Sequence, residues 1–350
     1  MKTFGVGIVG VGMIGTVHAM ELGGVKGAEL VAVAEPREGA GRELAEAHGV
    51  AWYPNGQDLL AREDVDVVIL CMPSGLHPDG AVAAARAGKH VITEKPMAIT
   101  LEGADRMIEA CRGTGVTLSV IFQYRFNRDA LRLKRAIDAG LFGSPVLGNA
   151  FVHWRRTQEY YEEKGGWRGT WALDGGGALM NQSVHAIDLL QWFLGPVESL
   201  CAYTATLTHE IEAEDTATAA LRFRNGALGV IQGTTSTHAD YPARIEVRGT
   251  EGGAVLEGSR LTDWRPSREE ELLSADELEA FPDTPEESFG AAHGRQLQEI
   301  FAALREGREP PIGGEEARKA VEIILGIYRA AREGEWVSLP PQRTTQRSRP

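Results

Sequence analysis

The sequence predicts an α/β protein in two parts, a doubly wound parallel sheet followed by an α+β unit on a large, mainly antiparallel sheet. Three observations carry this. Short apolar runs alternate with helical stretches through the first third of the chain, which is the rhythm of βαβ units. A glycine cluster, Gly10-Val11-Gly12-Met13-Ile14-Gly15, separates the first apolar run from the first helix. Past Asn127 the rhythm gives way to long strand-like runs and turn signals, the pattern of an antiparallel or mixed sheet.

In the parallel part, strands are expected at Thr3 to Val9, Glu29 to Glu35, Val65 to Met72, His90 to Glu94 and Thr117 to Phe122. Helices fall between them at Ala40 to His48, Asp79 to Ala87 and Leu101 to Arg112. The boundary lies near Gln123, giving domains 1–123 and 124–340. The second domain opens with an amphipathic helix, Asp129 to Ala139, and continues into strands at Val146 to Arg155 and Val197 to Thr206. Thr216 to Arg224 and Ala227 to Thr235 flank Asn225-Gly226, a type I′ hairpin signal. Arg244 to Arg248 and Ala254 to Glu257 flank Gly249 to Gly253 in the same way.

Two helices close the fold. Leu297, Ile300, Phe301 and Leu304 repeat at helical spacing, as do Val321, Ile324, Leu325 and Tyr328, and both stripes read as core. The acidic stretch Glu269 to Glu287 reads as a solvated excursion. The Pro-, Gln- and Arg-rich tail, 341–350, reads as disordered. There is no internal repeat.

A chain of 350 residues suits two packed domains. Its formal charge of -13 argues against a nucleic-acid partner, which needs a basic face, and against anionic lipid. Cys71, Cys111 and Cys201 are isolated, so neither a disulfide framework nor a thiolate zinc site is indicated. The first strand starts almost at once, leaving no room for a leader, and no apolar run is long enough to span a membrane. The chain reads as cytoplasmic.

The glycine cluster has the context a dinucleotide fingerprint requires. Gly10 permits a tight turn, Gly12 lets backbone approach a pyrophosphate, and Gly15 lets helix and sheet pack closely. The helix that follows offers free N–H groups and a positive dipole end to phosphates. Glu35 ends the second strand about twenty residues on, where an acid would hold ribose hydroxyls. A glycine-rich turn without ligand is the bland alternative, and the flanking strand, helix and acid weigh against it. Glu35 favours NAD, because a carboxylate repels a 2′-phosphate; Arg37 nearby leaves NADP open.

Further along the same sheet edge lie Pro73-Ser74-Gly75-Leu76-His77 and Glu94-Lys95-Pro96. Both follow parallel strands, where doubly wound sheets bind their ligands. The expected cofactor set is therefore Gly10, Gly12, Met13, Ile14, Gly15, Glu35, Arg37, Pro73, His77, Glu94 and Lys95. A buried lysine needs a partner or a purpose, although Lys95 could simply pair with Glu94. The second cluster follows Gly175-Gly176-Gly177. There, Ala178 to Leu194 is mostly apolar, so it should be a largely buried helix. Asn181, His185 and Asp188 sit at i, i+4 and i+7 on one face of it, while Gln182, Ser183 and Gln191 fall off that stripe. Such a stripe reads either as the wall of a reaction site or as a satisfied core histidine with a buried cap.

The glycine fingerprint, Glu94-Lys95-Pro96, Gln123-Tyr124-Arg125-Phe126 and the segment Gly177 to Asp188 together resemble the Gfo/Idh/MocA oxidoreductase family, over nearly the whole chain. The resemblance implies a Rossmann domain followed by an open-faced sheet domain, with a homodimer or homotetramer formed through that sheet. It also implies nicotinamide-dependent oxidation or reduction of a sugar or cyclitol carbon. The family's catalytic lysine maps to Lys95 and its histidine to His185. Its usual aspartate is Asn181 here.

Oxidising a secondary alcohol needs a base, and an imidazole with an ordinary pKa of about 6.5 suits that role. His185 is thus the expected base, and Lys95 the donor to developing alkoxide charge. Asn181 would orient substrate or imidazole, and Asp188 would hold a hydroxyl or balance charge. With an amide at 181, the negative charge an aspartate would place beside Lys95 and His185 is missing. Arg125, Trp167 and Arg168 are expected on the substrate wall; Arg155 and Arg156 are candidates there and equally for a surface or interface. No metal is expected, since the other histidines lack ligand spacing. Two other functions fit the motifs: NAD-dependent glycoside cleavage through transient oxidation and elimination, and NAD sensing without turnover. The presence of both Lys95 and His185 argues against the second.

Overall fold

The computed structural model describes residues 2–269, 272–274 and 290–340. The acidic excursion beyond Glu269 (272–274 apart) and the tail from 341 lie outside the described residues. The first part holds β1 (Phe4–Val9), α1 (Met13–Leu22), β2 (Ala28–Ala34), α2 (Glu38–His48), β3 (Ala51–Tyr53) and α3 (Gly56–Leu60). It continues with β4 (Val67–Leu70), α4 (His77–Arg86), β5 (His90–Thr93), α5 (Leu101–Thr114) and β6 (Leu118–Val120). The six strands form an all-parallel sheet in the order β3-β2-β1-β4-β5-β6. Strand β4 is Val-Val-Ile-Leu and wholly buried, the continuous apolar run of a strand covered on both faces. The chain leaves β1 in one direction and returns through β4 in the other. The crevice at their carboxyl ends is the switch point where such sheets bind ligands.

The second part holds α6 (Arg128–Asp138), β7 (Pro145–His153), α7 (Gln158–Glu162), α8 (Val184–Leu194), β8 (Val197–Ala205), β9 (Thr216–Phe223) and β10 (Leu228–Thr234). After these come β11 (Arg244–Gly249), β12 (Gly253–Glu257), β13 (Arg260–Arg265) and β14 (Val337–Ser338). The eight strands run β13-β12-β11-β7-β10-β9-β8-β14. Every pair is antiparallel except β7 with β10. Along β9, Ala217, Ala219, Leu221 and Phe223 are buried while Thr218, Ala220 and Arg222 are exposed, so one face is core and the other open. Helix α8 covers the core face, and Gly148 of β7 makes room for it: a Cβ there would come within 2.7 Å of Leu194. The open face carries Leu147, Tyr203 and Leu228 among its exposed side chains.

Two expectations change. The hairpin joining β9 to β10 closes with a three-residue loop, since Phe223 N–H bonds to the Ala227 carbonyl. Gly226 sits at φ +92°, the usual place for a left-handed residue in such a loop. The last long helices also divide their loyalties. Leu297, Ile300 and Phe301 of the helix Ala291–Glu306 share a buried cluster with Phe4, Val6 and Ile8 of β1. The helix Gly314–Glu333 packs in the larger cluster that includes α8 and β8. Periodicity shows which face of a helix is buried, not what it is buried against.

Candidate active site

A cleft of ≈ 850 Å³ opens at the switch point, lined by the first sheet's carboxyl edge and by residues of the second part. At its cofactor end, Gly10 has φ +94° and a Cβ there would meet the Cys71 backbone at 2.8 Å. A Cβ on Gly15 would lie 2.1 Å from the Gly10 carbonyl oxygen, whereas one on Gly12 would meet nothing within 4 Å. Gly10 and Gly15 are thus demanded by turn and packing, and Gly12 keeps the space in front of α1 clear. No side chain caps that helix, so its N-terminus is free to receive a diphosphate.

Glu35 lines the same end, nearly buried, with Oε2 accepting from Val11 N–H at 2.9 Å and Oε1 from Arg37 Nε at 2.6 Å. Burial works against its charge, but the bonds from Arg37 and Val11 outweigh it and lower its pKa. An ionised carboxylate keeps further lone pairs for ribose hydroxyls. Met13, Ile14, Pro73 and His77 also line the cleft. The ring nitrogens of His77 lie 2.9 Å from the Pro96 and Met72 carbonyl oxygens, so the one N–H of the neutral ring ties His77 to one of the two loops beside Lys95. These residues fit a nicotinamide dinucleotide, which when bound supplies the hydride acceptor or donor.

Lys95 stands at the middle of the cleft, after β5, with its peptide to Pro96 in the cis form. Its Nζ donates to the Asn181 carbonyl oxygen at 3.1 Å. Burial lowers its pKa, opposed by Glu94 and then Asp174. Glu94 is held by His18, whose Nε2 lies 2.8 Å from Oε1, and it accepts from Lys95 N–H at 3.1 Å. Burial pushes Glu94 up, yet the His18 contact prevails and its pKa falls to about 2. As an acceptor only, Glu94 fixes the proton of His18 on Nε2.

The segment Ala178–Ser183 is wound as a π-helix and passes into α8 at Val184. This departs from the single α-helix expected, and it changes which side chains share a face. His185 lines the cleft, stacked on Tyr124 with centroids 4.5 Å apart. Among the described residues its Nδ1 is buried with no hydrogen-bond partner, which leaves Nε2 as the nitrogen for proton exchange. Burial, and then the nearby Lys95 charge, hold its pKa well below 6.5, so it is a neutral imidazole at physiological pH. Gln182, off the expected stripe, reaches the cleft and bonds to Arg156, Tyr160 and Asn181.

Asp188 does not belong to the site. It is buried on the far side of α8, where Arg125 Nε and Nη2 reach its two oxygens at 2.7 and 2.6 Å. Arg125 is equally buried and also binds Glu316 at 2.9 Å. The expectation that both residues face substrate is corrected: three residues past His185 on the regular helix, Asp188 points to Arg125, and the two opposite charges satisfy each other.

The substrate end holds Trp167 and Arg168, as expected, together with Trp154, Arg156 and Tyr160. Arg168 lies 4.1 Å from the centroid of the Tyr160 ring and donates to the Tyr160 carbonyl. Arg156 flanks the rings of Trp154 and Tyr160 at 5.0 and 5.4 Å. Arg155 is exposed and outside the cleft. A carboxylate does stand behind Asn181: Asp174, fully buried, accepts from Asn181 Nδ2 at 2.6 Å. Sequence spacing missed it because it precedes the glycine run rather than lying on the helix. The two rings that flank Arg156, Trp154 and Tyr160, have no periodic signal either.

Among the described residues no three His, Cys, Asp or Glu side chains are grouped to hold a metal ion, and no helix is long and apolar enough to cross a membrane. Residues 4–122 match the oxidoreductase family with an NAD-binding Rossmann fold, and residues 130–255 match the GFO/IDH/MocA C-terminal domain. Myo-inositol 2-dehydrogenase of Thermotoga maritima is 31% identical over 92% of this chain and 93% of that protein. The scyllo-inositol 2-dehydrogenase (NAD(+)) of Bacillus subtilis is 27% identical over 96% of each. The WlbA dehydrogenase of Bordetella pertussis, crystallised with NADH and UDP-GlcNAcA, is 37% identical, with TM-score 0.87 over 97% of this chain and 99% of its own. Fingerprint, sheet order and both matched halves lead to one conclusion: the chain belongs to the Gfo/Idh/MocA family of NAD-binding oxidoreductases.

Proposed function

We propose that this oxidoreductase acts on a ring secondary alcohol of an anionic sugar, a sugar acid or nucleotide-linked sugar, with His185 as the base and Lys95 as the oxyanion donor. The enzyme moves a hydride between a nicotinamide cofactor and a secondary alcohol carbon of a sugar, cyclitol or sugar derivative. The observation that carries the finer reading is the charge of the substrate end. Arg156 and Arg168 flank aromatic faces there, a setting that strengthens a guanidinium's hold on carboxylate or phosphate. Each has an exposed carboxylate at hand, Asp240 3.2 Å from Arg156 and Glu163 4.0 Å from Arg168, and solvent-exposed pairs of this kind are weak enough for a bound anion to displace. The relative crystallised with UDP-GlcNAcA supports the same class. Neither glycoside cleavage nor NAD sensing gains support, since the relatives named above are dehydrogenases.

In this reading His185 Nε2 takes the hydroxyl proton, and Lys95 Nζ turns from the Asn181 carbonyl toward the charge that develops on oxygen. Asn181 and Gln182 orient the sugar ring. The protein works in the cytoplasm as a homodimer or homotetramer joined through the open sheet face, where Leu147, Tyr203 and Leu228 are exposed. Turnover with NAD should be measured on uronic acids and UDP-linked hexuronates beside neutral sugars and inositols. The anionic compounds should have the higher kcat/KM, and Arg156→Ala and Arg168→Ala should erase the preference. A neutral cyclitol preferred by both wild type and variants would sink the reading.

A further inference from the structure

Asp174 touches no part of the cleft, yet it is built into the back of it. Its Oδ1 accepts from Asn181 Nδ2 at 2.6 Å and its Oδ2 from the Gly169 N–H at 2.8 Å. The next residue, Gly175, has φ +74° and bonds to the Thr170 carbonyl, so a tight turn sets the carboxylate in place. Among the described residues no cation lies within ion-pairing distance of it, although it is fully buried. Burying a carboxylate without an ion pair is costly, and packing alone gives no reason to keep one here. The groups that face it are Lys95 and Arg168, the amide of Asn181, and the phenols of Tyr160, Tyr161 and Tyr328.

We propose that Asp174 is a positioning residue: its carboxylate fixes the Asn181 amide and adds to Glu94 a second negative charge that helps keep Lys95 an ammonium donor. The proposal rests on the reading of Lys95 given above. An ionised carboxylate only accepts hydrogen bonds. It therefore draws the amide NH2 of Asn181 to the rear and leaves Oδ1 forward, beside Gln182 Nε2 at 3.0 Å. The same residue's carbonyl holds Lys95 Nζ at 3.1 Å, so one contact orders both groups. Burial pulls the Lys95 pKa down, and the charges of Glu94 and then Asp174 pull it back up. Losing that charge frees Lys95 to deprotonate at lower pH. Burial also raises Asp174 to about 6, so the native enzyme should lose turnover on the acid side as Asp174 is neutralised.

The decisive variant is Asp174→Asn, which keeps size and an acceptor for Gly169. With NAD and the best sugar substrate, kcat should fall about 10- to 100-fold with KM for NAD unchanged. The alkaline limb of its pH profile should move to lower pH and the acid limb near Asp174 should vanish. The exchange Asp174→Asn with Asn181→Asp keeps one carboxylate and one amide in the same contact, and it should recover most of the lost kcat. A merely structural role would move neither limb and would give no rescue. If the single variant does not fold, the exchanged pair decides: active supports the proposal, folded and inactive overturns it. A kcat for Asp174→Asn within about twofold of wild type, with limbs unmoved, also overturns it. Lys95→Ala is measured alongside. Normal turnover in that variant defeats the reading of the site itself; slow turnover with a normal Asp174→Asn defeats only the role of Asp174.

Discussion

Helix α8 separates two buried polar regions that look alike in sequence and behave in opposite ways. On one side Asp188 meets Arg125 through two short hydrogen bonds, and Glu316 closes the group. On the other, His185 and Asp174 are buried and Lys95 and Asn181 partly so, but their contacts are amide and carbonyl rather than opposite charge. His185 and Asp188 are one turn apart on the same helix. Burial of a polar side chain does not by itself mark function; the kind of partner does. A charge answered by an opposite charge is finished business for the fold. One left with neutral partners, and with a nitrogen or ammonium facing open space, is poised for a ligand.

The largest effect is expected on the closed side. Arg125→Ala leaves Asp188 buried with no counter-charge, and a broken buried pair costs about 3–5 kcal/mol. Urea unfolding should show a loss of that size, and NAD binding to the folded fraction should be retained. A loss under about 1 kcal/mol would mean water relieves Asp188, and the two sides would not differ as argued. On the open side the effect should fall on rate instead. Lys95→Ala and His185→Ala should each lower kcat by about 10²-fold or more with little change in the unfolding midpoint. Because burial keeps the His185 pKa well below 6.5, its own titration should leave turnover flat across neutral pH. A His185→Ala enzyme with near-normal turnover would place the base elsewhere.

How much of this could be read from sequence depended on whether local rules decide it. The cofactor end is local: glycines set a turn, a strand and helix flank it, and an acid ends the next strand. Each of Gly10, Gly12, Gly15 and Glu35 therefore stands where spacing put it. The substrate end is not local. A π-turn at Ala178–Ser183 precedes α8 and Gln182 on it lines the cleft, which no periodicity of 3.6 anticipates, while Asp188 on the regular helix is taken up by Arg125. Lys95 and His185, whose chemistry was legible, do line one cleft; Arg125 was legible as functional and proved structural, because its partner lies 63 residues away.

Another buried carboxylate, Glu214, acts on stability rather than rate. Glu214 receives the N–H groups of Gly177 and Leu179 and the Tyr328 hydroxyl, so it pins the start of the π-helix. Burial nevertheless raises its pKa from 4.5 to about 7. The unfolded chain ionises Glu214 near the lower value, and the folded chain only near the upper one. Between them the folded state binds more protons, so stability contributed by this group is full below the unfolded pKa and declines as pH rises to about 7. The decline should be roughly 1–3 kcal/mol. Glu214→Gln should flatten that slope in denaturant unfolding series; the absolute stability is not the readout, since Gln cannot accept from every donor. An unchanged slope would mean that Glu214 is ionised throughout.

The smallest expected effect lies at the cofactor end, where Glu35 is neither closed nor open in the sense above. It is ion-paired to Arg37 at 2.6 Å, yet Arg37 is half exposed and Glu35 lines the cleft. The pair has two consequences for cofactor choice. The carboxylate can accept from ribose hydroxyls and repels a 2′-phosphate, and it also occupies Arg37 Nε, the group best placed to welcome that phosphate. Glu35→Ala removes the acceptor and releases the guanidinium together. NAD should then bind about tenfold more weakly, the worth of one charged hydrogen bond, while NADP binds more tightly. Glu35→Ala combined with Arg37→Ala separates the two causes, since NADP should gain nothing once the guanidinium is gone. Titration of both cofactors against the wild type and the two variants checks this, and tighter NADP than NAD binding by the wild type would overturn the preference at its source.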